Sequence, residues 1–131
     1  KWRLLIDYVQ VNKRVERRTF PIPAFSDFLP ALQGAHLFTR IDLRDAYHCL
    51  ETSPETAQIL AFHALDPAGN MSKFIPLRTS FGSSSAPAVF NALMTQLLAP
   101  FHKNLVHYFD DLVYHSREGE DHIAGLKQVL D

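Results

Sequence analysis

Two adjacent aspartates, Asp110 and Asp111, are the residues of this sequence best suited to do chemistry. They stand between two apolar, strand-forming runs, at residues 105–109 and 112–114. This pattern predicts a tight hairpin with both acids at its tip. Because neighbouring carboxylates repel each other and cannot be buried without a counter-charge, the tip requires a positive partner. A hard divalent cation such as Mg²⁺, which prefers carboxylate oxygens, is the natural candidate.

A third acid, Asp42, ends a further apolar run at residues 37–41. A strand ending beside the hairpin tip would bring Asp42, Asp110 and Asp111 round one site. Three converging carboxylates suit two Mg²⁺ ions about 3.5–4 Å apart, one activating an attacking hydroxyl and one holding a triphosphate. The spacing alone does not make the strands neighbours. Asp-Asp pairs also occur at ordinary turns, where Asp bonds its own backbone.

The composition describes one globular domain with a substantial core. The chain has 131 residues, of which 47% are hydrophobic and 21% are charged. Its formal net charge of -1 does not indicate a nucleic-acid-binding protein, although a basic channel could still exist locally. No run approaches membrane-spanning length, and the N-terminus is not a signal peptide. We expect the chain to be a piece of a longer protein.

The apolar patterns predict a mixture of strands and helices. Strands are expected at residues 3–8, 37–43, 59–64 and 73–77 and on both sides of the acidic tip. Helices are expected at 28–32 after Ser26, for one turn after Ser53, from a cap at Ser84 or Ser85 until Pro100, and from about residue 118, and a turn at 66–70. The fold class is therefore α+β, an antiparallel sheet with helices packed on one face.

Other reactive side chains have plainer interpretations. The single cysteine, Cys49, excludes an internal disulfide, fits a reducing compartment and is expected to be buried. The histidines show no metal-ligand spacing, and His107 and His115 are expected to be packing or surface residues. The serines at 83–85 lack a nucleophile-elbow pattern, so a capping role suffices for them.

Blocks of the sequence occur in the order known from one enzyme family. Residues 41–48 and 108–111 resemble motifs A and C of reverse transcriptases. The other blocks resemble the fingers segment (1–8 and 12–13), the approach to motif A in gypsy-type LTR retrotransposons (21–23 and 32–39), motif B (81–90), and the helix after motif C (His122 and Leu126). The resemblance covers nearly the whole chain.

The resemblance implies a polymerase palm with part of the fingers. The expected division is fingers at 1–36 and 52–80 and palm at 37–51 and 81–131, with thumb and RNase H absent. Asp42, Asp110 and Asp111 would be the catalytic, metal-binding residues for two Mg²⁺ ions, for which Mn²⁺ can substitute. Asp111 is often less directly engaged in this family. Arg3 would contact the incoming triphosphate through its guanidinium.

The same resemblance assigns the other substrate-binding residues. Asp45 and Ala46 would offer backbone N–H groups to the phosphates. Tyr47 would be the steric gate that excludes a ribose 2′-OH. Phe81 and Gly82 would lie against the nascent base pair, where glycine lets the backbone come close. Taken singly, Arg3 would be read as a solvated strand residue and Tyr47 as a core aromatic, and Phe81 could also be a core residue.

Motif B departs from the family pattern. Residues 83–85 are all serine where gypsy-type elements have Leu-Lys-Asn, so contacts to template or nucleotide could be weakened. In the first block, Val9 replaces the usual Arg. The acids of motifs A and C are intact. These departures are also compatible with a decayed genomic copy of such an element in which the aspartates happen to survive.

The expected function is that of an RNA-directed DNA polymerase adding dNTPs to a primer 3′-OH. The implied partners are an RNA or DNA template-primer, dNTPs and the rest of a Pol polyprotein (protease, RNase H and integrase), with no membrane. The expected location is a cytoplasmic virus-like particle, or the nucleus, and not secretion. One alternative is an inactive relic or host-adopted binding module. Another is a metal-dependent nuclease or phosphatase, which leaves Tyr47 and motif B unexplained.

Overall fold

The computed structural model describes residues 5–16, 21 and 24–131. In chain order its α-helices are α1 (Val9–Asn12), α2 (Phe25–Leu32), α3 (Pro54–Ile59), α4 (Ala86–Leu98) and α5 (His122–Leu130). Its strands are β1 (Leu37–Asp42), β2 (Phe62–Leu65), β3 (Met71–Phe74), β4 (Leu105–Tyr108) and β5 (Asp111–Ser116). Two short 3₁₀ helices span Ala46–Cys49 and Ala99–Phe101. The predicted α+β class is confirmed.

The chain forms two compact units. Unit 1 comprises Lys1–Thr19 and Asp45–Pro87, and unit 2 comprises Phe20–Arg44 and Ala88–Asp131. In the part of the chain that the structure describes, no helix is both long enough and apolar enough to cross a membrane.

A three-stranded antiparallel sheet organises unit 2, with strand order β1-β5-β4. The central strand β5 pairs with β1 in a register that places Asp42 opposite Asp111. On its other side β5 pairs with β4, so that Tyr108 also lies opposite Asp111. The predicted hairpin and the predicted strand before it are therefore both present, and they are neighbours in one sheet.

Helix α5 is attached to this sheet through a buried histidine. His122 is 9% exposed, and its Nδ1 lies 2.7 Å from Ser116 Oγ. Its Nε2 lies 2.8 Å from Thr39 Oγ1, so both ring nitrogens have partners and connect α5 to β5 and β1. The buried apolar side chains of unit 2 are Phe90, Met94, Leu105, Leu112 and Tyr114.

In unit 1, the buried Tyr8 joins three segments. Its hydroxyl donates to the carbonyl oxygen of Leu60 at 3.1 Å and lies 3.1 Å from Ser80 Oγ. Helix α3 follows Ser53, whose Oγ accepts the N–H of Thr56 at 3.3 Å, as an N-cap does. The predicted cap is confirmed.

Strands β2 and β3 of unit 1 pair as an antiparallel hairpin. The turn is built by Asp66, whose Oδ1 accepts the N–H of Asn70 at 2.8 Å and of Ala68 at 2.9 Å. These hydrogen bonds, led by the one from Asn70, lower the pKa of Asp66. The turn predicted at 66–70 is confirmed.

Several predicted boundaries are wrong, because side-chain contacts replace the expected ladders and caps. Residues 5–8 form no strand, since Tyr8 anchors this segment through its side chain; residues 3 and 4 lie outside the described part. Helix α3 continues to Ile59, so the next strand begins only at Phe62. Helix α5 begins after Asp121, whose Oδ1 accepts the N–H of Ala124 at 3.0 Å.

The predicted burial also fails at particular positions. Cys49 is exposed, contrary to expectation. On α5, Ile123 and Leu130 of the predicted apolar face are 60% and 63% exposed.

Helix α2 begins before Ser26, because Asp27 Oδ2 accepts the N–H of Ala24 at 2.8 Å and so supplies the cap.

Candidate active site

Phe109 and Asp110 form the two-residue loop that joins β4 to β5. Phe109 has a φ of 54°, which non-glycine residues seldom adopt. A positive φ at the first loop position is typical of a type II′ hairpin turn, whose twist matches the flanking strands. The carbonyl oxygen of Asp110 accepts the N–H of Leu43 at 3.1 Å. This hydrogen bond fastens the hairpin tip to the residue that follows β1.

The three predicted metal-binding residues lie at one end of the sheet of unit 2. Asp42 and Asp111 are register partners, and Asp110 immediately precedes Asp111 in the loop. Among the described residues, however, no three His, Cys, Asp or Glu side chains are grouped closely enough to hold a metal ion. The structure thus brings the three backbones together without closing a three-carboxylate cluster, and the catalytic role of the acids stays a prediction.

Asp111 is bound by a residue that the sequence patterns did not single out. Arg40 donates to Asp111 Oδ1 from Nη2 at 2.7 Å and from Nε at 3.0 Å. The hydrogen bond and charge of Asp111, with smaller contributions from Asp42 and Asp110, raise the pKa of Arg40. Strand periodicity places Arg40 on the same face of β1 as Asp42, and the register with β5 is needed to place it beside Asp111.

The other two carboxylates fit a divalent cation. In the described part of the chain, neither Asp42 nor Asp110 accepts a side-chain hydrogen bond, whereas Asp111 accepts two. Mg²⁺ commonly binds through one or two carboxylates together with waters and substrate phosphates. Two acids at an accessible sheet end match that chemistry.

Three residues predicted to contact the nucleotide lie together in unit 1. The rings of Tyr47 and Phe81 meet edge to face, with centroids 5.4 Å apart and an interplanar angle of 69°. With Gly82 they border a cavity of 130 Å³, which is lined by Tyr47, Phe81, Gly82, Ser83, Ala86 and Pro87. The structure therefore groups the predicted steric gate with the predicted base-pair contacts.

The predicted phosphate contacts have an unusual backbone. Asp45 has a φ of 51° and precedes the 3₁₀ helix that begins at the buried Ala46. Left-handed and right-handed residues in succession turn neighbouring N–H groups to one side, as anion-binding backbones do. Contact with a phosphate stays a prediction for both residues. Arg3 lies outside the described residues.

Asn12 fixes the loop that carries Gly82. Its Nδ2 donates to the carbonyl oxygen of Gly82 at 2.7 Å, and its Oδ1 accepts the N–H of Ser84 at 3.0 Å. Gly82 has a φ of +103°, and an added Cβ would lie 2.8 Å from the carbonyl oxygen of Ile6. Asn12 and Gly82 are 70 residues apart, so no local sequence pattern signals their contact.

Two histidines of unit 2 should make its folding stability sensitive to acid. Burial lowers the pKa of His107, and burial followed by the charge of Arg117 lowers that of His115. His115 is 1% exposed, and neither ring nitrogen has a hydrogen-bond partner among the described residues. In the unfolded chain these histidines titrate at about pH 6.5. As the pH falls below that value, they bind more protons in the unfolded chain than in the folded chain. Stability present above this pH should therefore be lost on acidification.

We expect faster hydrogen exchange of the β5 amides at about pH 5.5 than at pH 7, after correction for the intrinsic rate. The matched variant is His115→Leu, which replaces the imidazole ring, whose hydrogen-bonding groups are unsatisfied, with an apolar side chain. This variant should show a smaller pH dependence than the wild type. An unchanged pH dependence in the variant would assign the effect to other groups.

Known proteins resemble this chain over nearly its whole length. The family model described as "Reverse transcriptase (RNA-dependent DNA polymerase)" matches residues 1–131. The Tf2-3 and Tf2-7 transposon polyproteins of Schizosaccharomyces pombe are 33% and 32% identical over 129 residues, 98% of this chain. The chain spans only 9% of the length of these polyproteins.

A solved structure shares the fold. The prototype foamy virus protease-reverse transcriptase, crystallised as a CSH mutant, matches with a TM-score of 0.80 at 24% identity. The match covers 98% of this chain and 17% of the viral chain. The family match over residues 1–131, together with the identity of 33% to the Tf2-3 polyprotein, shows that the chain belongs to the reverse transcriptase (RNA-dependent DNA polymerase) family.

Proposed function

We propose that the protein containing this chain is an RNA-directed DNA polymerase that adds dNTPs to a primer 3′-OH and releases pyrophosphate. The observation that carries the proposal is the pairing of Asp42 with Asp111 beside the loop residue Asp110. This arrangement gathers acids from two separate sequence segments at one sheet end, in a chain of the reverse transcriptase family.

In this proposal Asp42 and Asp110 hold the catalytic cations, two Mg²⁺ ions that Mn²⁺ can replace, with Asp111 beside them. When bound, such ions activate the attacking hydroxyl and stabilise the leaving oxygen. The aspartates contribute by fixing the cations on a rigid hairpin, because the tip is tied to β1 through the N–H of Leu43. A rigid support matters, since small displacements at reacting groups cost large factors in rate.

The nucleotide-binding roles are proposed for residues of unit 1. Tyr47 excludes a ribose 2′-OH, and its edge-to-face contact with Phe81 limits the movement of its ring. Phe81 and Gly82 border the nascent base pair. The backbones of Asp45 and Ala46 bind phosphate, with Arg3 as the proposed charged partner, as the family resemblance implies.

The proposed partners follow from the size of the relatives. The chain spans 9% of the length of the Tf2 polyproteins, so we propose that a longer Pol polyprotein contains it. The family resemblance implies that this polyprotein also carries protease, RNase H and integrase regions. Its substrates would be dNTPs and an RNA or DNA template-primer. We propose a cytoplasmic virus-like particle as its location, with the nucleus as the alternative.

The proposal is tested by dTTP incorporation on poly(rA)/oligo(dT), using the full-length protein with Mg²⁺ or with EDTA. We expect incorporation only with Mg²⁺. Replacing Tyr47 by Ala should admit ribonucleotides, raising their use relative to dNTPs by about 10–100-fold, the factor available from removing one steric contact. The control Tyr47→Phe keeps the ring and should keep the discrimination.

An inactive relic is the second candidate, because residues 83–85 depart from motif B. The loop that carries Gly82 nevertheless has a defined conformation, because Asn12 Oδ1 accepts the N–H of Ser84. Absence of Mg²⁺-dependent incorporation by a folded, full-length protein would favour the relic. In that case restoring Lys and Asn at positions 84 and 85 is the next variant to measure.

A further inference from the structure

The ion pair between Arg40 and Asp111 singles out one of the three acids. In the register of β1 and β5, Arg40 lies opposite Val113 and is thus a diagonal neighbour of Asp111. Diagonal positions lie within reach of long side chains in a sheet. Two donors of one guanidinium, Nη2 and Nε, converge on the same carboxylate oxygen, Asp111 Oδ1. A single flexible point charge would not give this double contact.

The ion pair borders an apolar cavity of 270 Å³ in unit 2. Arg40 and Asp111 line it together with the apolar Phe28, Leu32, Val106 and Val113 and with His107 and Tyr108. The side chains of Arg40 and Asp111 are still 70% and 43% exposed, so a cation from solvent can reach the carboxylate.

Exposure limits the strength of this pair. Ion pairs between exposed side chains contribute little to folding stability, typically less than a factor of about ten in an equilibrium constant. Removing Arg40 should therefore leave the fold intact. The same modest strength is enough to compete with a cation for one carboxylate, because each tenfold change in affinity corresponds to only about 1.4 kcal/mol.

We propose that Arg40 is a positioning residue that competes with divalent cations for the carboxylate of Asp111. With Arg40 in place, the free protein takes up a cation through Asp42 and Asp110, and Asp111 is withheld. This inference rests on the proposed function, since it assumes that the cation binds at this sheet end. Arg40 would then help to set the affinity of the site for a cation before the nucleotide binds.

The test is Mn²⁺ binding to the full-length protein without nucleotide, followed by the loss of the free Mn²⁺ paramagnetic resonance signal. The double variant Asp42→Asn/Asp110→Asn gives the background from sites elsewhere in the protein. We expect Arg40→Met to tighten the remaining binding about threefold to tenfold, the range of an exposed ion pair. Arg40→Lys, which keeps the charge but has one donor nitrogen, should have an intermediate effect.

A double-mutant cycle with Asp111→Asn decides whether the effect acts through Asp111. The gain from Arg40→Met should disappear when Asp111 is already Asn. An equal gain in both backgrounds would overturn the proposal, because Arg40 would then act only as a general positive charge. A lack of gain from Arg40→Met in the protein that retains Asp111 would also overturn it. Absence of Mn²⁺ binding above background would overturn both this inference and the proposed metal site, so the two failures are distinguishable.

Discussion

Replacing Asp110 by Asn is expected to reduce dTTP incorporation by at least about 10³-fold, which corresponds to about 4 kcal/mol of transition-state stabilisation. The exchange removes the charge and leaves the shape, and the loop is held by the backbone carbonyl of Asp110 rather than by its side chain. Asp42→Asn should cause a loss of the same order. Single-turnover incorporation on a primed RNA template measures both.

The matched control for Asp110→Asn is Asp121→Asn in the same unit. Asp121 caps α5 through its Oδ1, and asparagine caps helices equally well. This variant should keep its incorporation rate within about twofold, as expected for a surface change that preserves the cap. If Asp42 and Asp110 act as one unit, the double variant should be little worse than either single variant. A rate near wild type in Asp110→Asn would exclude this residue from the chemistry.

The backbone placement of the acids was predictable, because it depends on local patterns. Apolar runs of strand-forming residues flank Asp110 and precede Asp42, and short acidic loops between such runs form hairpins. The register between β1 and β5 was not predictable from spacing, since it depends on long-range pairing. Once the register is known, the contact of Arg40 with Asp111 follows from the alternation of side chains along each strand.

The support of the proposed nucleotide site could not be predicted, because it joins distant segments through side chains. Tyr8 ends the segment predicted as a strand, residues 3–8, and Asn12 lies four residues beyond it. Their side chains instead bind Leu60 and the loop at Gly82, contacts that no periodic pattern encodes. The sequence left open whether His115 packs or lies at the surface; what it could not indicate is a buried ring without a hydrogen-bond partner among the described residues, which is rare in a core.

Replacing Gly82 by Ala is expected to impair both folding stability and incorporation. At a φ of +103° an L side chain is strained, at a cost of about 1–3 kcal/mol. The new Cβ would also lie 2.8 Å from the carbonyl oxygen of Ile6, so the loop or this backbone must move. Because the loop carries Phe81, a shift of about 1 Å should lower incorporation by about 10²-fold. Incorporation kinetics and a thermal unfolding curve of the full-length protein measure the two effects.

Gly69→Ala separates the strain from the contact, because Gly69 also lies in unit 1 with a positive φ, +84°. An added Cβ at this turn meets nothing within 4 Å. Both variants should lose stability through backbone strain, but only Gly82→Ala should lose incorporation, because only its loop must move Phe81. Equal incorporation by the two variants would mean that Ile6 yields without displacing the loop. The close approach at Gly82 would then have no part in positioning Phe81.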